Sequence, residues 1–134
     1  MKEECVTYKQ AQELKRLGFR DEVFGYYDEF GRLGVSAQTD YNVNWDYFIS
    51  APTLSQAQKW LREEKGLIIF VTPEFYEGDA LEDVKWYFYT QPLQNLRKQR
   101  GGKVEGRYYD SYELALYAGI DAALELLTDK LNDK

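Results

Sequence analysis

Three acidic pairs, Asp28-Glu29, Glu63-Glu64 and Glu82-Asp83, are the residues of this chain that invite a catalytic reading. Two carboxyls in different environments can split their pKa values into a general acid and a general base, the arrangement used in glycoside hydrolysis. Neighbours in sequence are a poor route to that geometry, because adjacent residues on a helix point about 100° apart. Each pair also sits in a polar stretch, where solvated surface is the ordinary explanation. Cys5 is the single cysteine and histidine is absent. That inventory excludes an intrachain disulfide, a His or Cys metal cage and every Ser-His or Cys-His nucleophilic device. An all-oxygen cation site is the metal chemistry left, and the acids between Glu77 and Asp83 lack the alternating ligands and terminal glutamate of an EF-hand loop. No catalytic residue, metal ligand or cofactor is therefore assigned, and a small carboxylate hydrolase stands as an alternative.

Charge reverses along the second half of the chain. Glu74, Glu77, Asp79, Glu82 and Asp83 are followed by Arg97, Lys98, Arg100, Lys103 and Arg107, with Glu105 among them. The basic loop 97–107, with Tyr87 and Tyr89 offering stacking faces beside it, is the candidate nucleic-acid contact. The whole chain opposes that reading at long range, since 17 basic residues against 23 acidic ones leave a net charge of −6. Gly101-Gly102-Lys103 lacks the upstream spacing of a phosphate-binding loop and reads as a flexible connection.

Tyrosine is the feature in excess: the chain holds 12 tyrosines, 7 phenylalanines and 3 tryptophans in 134 residues. Tyrosine supplies contact area at low entropy cost and carries a polar tip, which enriches it at protein interfaces. Tyr26, Tyr27, Tyr87 and Tyr89 are the candidate protein-binding residues, set against the ordinary role of tyrosine as a half-buried strand residue.

The elements that must position these side chains follow from capping and periodicity. Thr7 with Gln10 three residues on starts a helix over 7–17 whose apolar face is Tyr8, Ala11, Leu14 and Leu17, and Gly18-Phe19 ends it in a Schellman turn. Thr53 and Gln56 repeat that pattern for a helix carrying Leu54, Ala57, Trp60 and Leu61, closed by Gly66-Leu67. The shared Gln-Ala-Gln tripeptides lie 46 residues apart, which raises a weak internal repeat of 7–52 and 53–109 or, equally, two helices that met the same capping chemistry. Residues 22–27 and 33–39 flank Asp28-Glu29-Phe30-Gly31 and predict a β-hairpin with a glycine bulge, the second strand laying one face on the core. Residues 45–49 suggest a short third strand. The apolar run 67–72 predicts a central strand covered on both faces, and 84–91 a strand with Trp86 and Phe88 inward and Tyr87 and Tyr89 outward. Residues 90–106 read as a mobile loop. Tyr112, Ala115, Leu116, Gly119, Ile120, Ala123, Leu126 and Leu127 mark a long amphipathic helix over 111–128, with Asp110 or Ser111 as cap and a break at Gly119 as the alternative. Residues after Thr128 should fray.

The stretches from Ala51 through Glu63 (APTLSQAQKWLRE) and from Asp110 through Ile120 (DSYELALYAGI) resemble segments of small uncharacterised proteins of gut-bacterial phages and prophages. The resemblance covers the helical half of the chain and implies a setting, with no activity and no functional residues.

The expected fold is a single α+β domain over residues 1–134, in the order αββ(β)αββα, with an antiparallel or mixed sheet and helices mainly on one face. No apolar run is long enough for a membrane span or a secretory signal, so the expected location is cytoplasmic. The expected function is non-catalytic binding of a host protein or of the chain itself, with nucleic-acid binding and hydrolysis as the alternatives.

Overall fold

Thr7 and Gln10 cap each other at the start of α1 (Tyr8–Arg16): the Thr7 hydroxyl accepts from the Gln10 N–H at 3.1 Å and the Gln10 side-chain oxygen from the Thr7 N–H at 3.0 Å. Such a cap stabilises a helix by about 1 kcal/mol. Gly18 adopts φ +98°, and the N–H groups of Phe19 and Gly18 return to the carbonyls of Leu14 and Lys15, completing the expected Schellman ending. A computed structural model describes residues 4–74, 77–78, 80–93, 103–104 and 107–132. The chain is α+β, and it divides into two compact units, 1–57 and 58–134.

In the first unit β1 (Val23–Tyr27) and β2 (Leu33–Thr39) form the predicted hairpin. Asp28 shapes its turn by accepting from the N–H groups of Phe30 and Arg32, and Gly31 takes φ +78°. Asp40 then accepts from the Asn42 N–H and starts a short helix, α2 (Tyr41–Asn44), ahead of β3 (Ile49–Ser50). The expected strand over 45–49 is thus reduced to its last residue plus Ser50, because the Asp40 cap draws the preceding chain into a helical turn. The sheet order is β2-β1-β3, all antiparallel. Val6, Ala11, Leu14, Phe19, Val23 and Tyr27 are among its buried residues.

One expectation about β2 is overturned. Leu33 pairs with Tyr27 and Val35 with Gly25, so both lie on the side that β1 buries, yet they are 50% and 69% exposed. The strand is at the sheet edge, and the core stops beneath β1.

The boundary between the units falls within α3 (Leu54–Lys65), where Thr53 Oγ1 accepts from the Gln56 N–H. The predicted stripe Leu54, Ala57, Trp60 and Leu61 is buried, and Gly66 follows at φ +66°. In the second unit β4 (Leu67–Glu74), β5 (Lys85–Pro92) and β6 (Lys103–Val104) form an antiparallel sheet in that order, with a 3-10 turn (Leu81–Asp83) before β5. The apolar run was expected to be central, and it is β5 that lies in the middle. An apolar run reports which faces of a strand are covered, and carries no information on how many strands bond to its edges. The loop expected over 90–106 is likewise shortened, since β5 reaches Pro92 and Lys103–Val104 pairs with Thr90 and Tyr89. The rest of it, 94–102 and 105–106, lies outside the described residues.

Helix α4 (Tyr112–Asn132) is capped by Ser111, whose hydroxyl accepts from the Leu114 N–H. It runs unbroken through Gly119 and past Thr128, so the alternative break does not occur and the expected fraying does not begin at Thr128. Ala115, Leu116, Ile120, Ala123 and Leu124 form its buried face, with Leu126 and Leu127 half-buried. A Cβ at Gly119 would stand 2.6 Å from Ile69 Cγ2 and 3.4 Å from the Phe88 ring. The glycine is there for close packing of α4 on β4 and β5.

Candidate functional site

The first unit builds an aromatic cleft. Strand alternation turns Tyr26 to the side of β1 opposite its buried residues, and Gly34 across the ladder has no side chain to block it. The pairing then slips: Gly25 opposes Val35 while Val23 opposes Thr39, so four steps of β2 match two of β1 and Ser36, Ala37 and Gln38 bow out of register. The Tyr41 hydroxyl, donating to the Ala37 carbonyl at 2.6 Å, pins the bow. The α2 turn that carries Tyr41 is itself tied down. Asn42 donates to the Phe19 carbonyl and accepts from the Ser50 N–H, and Arg20 meets Asp40 at 2.8 Å.

Four rings close against each other over this frame. Tyr26 lies 4.6 Å from Phe48 and 5.1 Å from Tyr41, and Tyr41 lies 5.2 Å from Trp45, all tilted by 33–36°. Each such contact contributes about 0.5–1.5 kcal/mol beyond burial. They form a wall of ring faces, with Ser36, Ala37 and Thr39 of β2 completing a cleft of about 430 Å³. That volume falls within the roughly 300–1,000 Å³ of ordinary ligand sites. Trp45 remains 43% exposed, and Val43 and Tyr47 beside it are exposed as well. All seven lining residues are uncharged. The cleft can stack a flat or apolar group and hydrogen-bond it through hydroxyls, and it presents no acid, base or activated nucleophile of its own.

The sequence candidates distribute unevenly over the structure. Tyr26 is in the cleft. Tyr27 is not a surface residue: it is 9% exposed and its hydroxyl donates to the Val6 carbonyl at 2.6 Å. Burial, and secondarily Cys5, push its phenol pKa above the ordinary value. Strand β1 alternates about its sheet, so of two consecutive tyrosines one must turn inward. Tyr87 and Tyr89 lie in the other unit, both half-buried, on the side of β5 away from buried Phe88. Tyr89 stacks on its cross-strand partner Phe70 at 4.6 Å and 15°, and Tyr87 meets Tyr108 edge-on at 6.1 Å.

Of the basic candidates, Arg107 is exposed and Lys103 belongs to β6, while Arg97, Lys98 and Arg100 lie outside the described residues. Asp79 does too; Glu77, Glu82 and Asp83 are exposed. Among the acidic pairs, Asp28 is engaged by Arg32 at 2.8 Å and Glu63 and Glu64 are exposed on α3. Among the described residues no three His, Cys, Asp or Glu side chains converge on a cation position, and no described helix is long and apolar enough to cross a membrane.

Tyr41, Trp45 and Phe48 were missed by sequence reasoning. Only Tyr41 lies on a helix, since α2 ends at Asn44, Trp45 is extended and a bend at 46–47 precedes Phe48, so no single side-chain period marks the three rings. Compared with protein-family models, curated proteins and solved structures, the chain finds no match.

Proposed function

We propose that this protein is a non-catalytic protein-interaction module whose contact surface is the cleft of Tyr26, Tyr41, Trp45 and Phe48. The observation that carries the proposal is an uncharged cluster in which exposed Trp45 and half-buried Tyr26 and Phe48 pack over buried Tyr41, beside exposed Val43 and Tyr47. Aromatic anchors beside a few hydroxyls are the composition of interface cores, and ring-lined grooves accept extended segments presenting prolyl or apolar side chains. The partner in this reading is a host protein that offers such a segment.

Affinity capture from a bacterial lysate, followed by titration of the purified partner, tests this. Trp45→Ala removes a half-exposed ring and should abolish capture with an unchanged far-UV circular dichroism spectrum. The double change Tyr87→Ala/Tyr89→Ala should leave capture intact. Loss of capture by the second variant and retention by the first would move the contact surface to the β4-β5-β6 sheet and overturn the reading.

A further inference from the structure

We draw no further inference here: the strongest candidate, the outer edge of β2 with Leu33 and Val35 exposed along it, carries nothing, because Arg32 and Asp40 at its ends are already paired with Asp28 and Arg20 and nothing in the structure shows what covers it.

Discussion

The ring of Tyr26 lies across β2 directly over Gly34, so that a Cβ built on Gly34 would overlap the phenol. This contact sets the tilt at which Tyr26 meets Phe48 and Tyr41, and with it the floor of the cleft. Gly34→Ala should therefore destabilise the fold by about 1–3 kcal/mol through overpacking and change the near-UV circular dichroism of the ring cluster. In a Tyr26→Ala background the same change should cost close to nothing. Chemical denaturation of the four species measures the coupling, and additive costs would show that the ring does not depend on the glycine.

Gly119 sets two effects of opposite sign against each other. Alanine is the better helix former by about 1 kcal/mol, but its methyl would meet the branched side chain of Ile69 at 2.6 Å, with the Phe88 ring behind it. Overpacking in a close-packed core costs about 1–3 kcal/mol. Ile69 is stiff at χ1, so relief by rotation is limited. Gly119→Ala is expected to lower stability by about 1–2 kcal/mol and to cost less in an Ile69→Ala background, which removes Cγ2, both read from denaturant midpoints.

Two buried hydroxyls predict opposite outcomes. The Tyr27 hydroxyl bonds to the Val6 carbonyl, whereas Ser50 Oγ is buried with no partner among the described residues. Tyr27→Phe should cost about 1–3 kcal/mol by leaving a buried carbonyl without its donor. Ser50→Ala, which removes an unpaired polar atom, should be neutral or stabilising. Thermal unfolding of the two variants decides both, and a destabilised Ser50→Ala would mean that its hydroxyl has a partner.

The hairpin turn carries an acid dependence. The backbone N–H of Arg32 above all, then its guanidinium and the N–H of Phe30, hold the Asp28 carboxyl below its ordinary pKa. A group whose pKa is depressed by folding stabilises the fold fully above its unfolded value, and that contribution is lost as pH falls through the lower folded value. In an NMR titration the Asp28 carboxyl should turn over below the usual aspartate range, with the Phe30 and Arg32 amide signals moving at the same midpoint. Asp28→Asn should remove that step from the acid unfolding profile.

Sequence alone determined whatever depends on a few consecutive residues. The capping box at Thr7 and Gln10, the Schellman ending at Gly18, the hairpin turn at Asp28 and Gly31, and the buried faces of α3 and most of α4 all follow from bonds spanning three to five positions, and one side-chain period suffices to read them. The two sheets, the edge position of β2, the central position of β5 and the inward turn of Tyr27 were decided by tertiary structure, because a strand's neighbours are chosen from distant segments and leave no trace in its own pattern. The cleft belongs to the second kind. Tyr26 reaches Tyr41, Trp45 and Phe48 through a slipped strand register and a cap at Asp40, and a register is a property of two strands together that neither one carries alone.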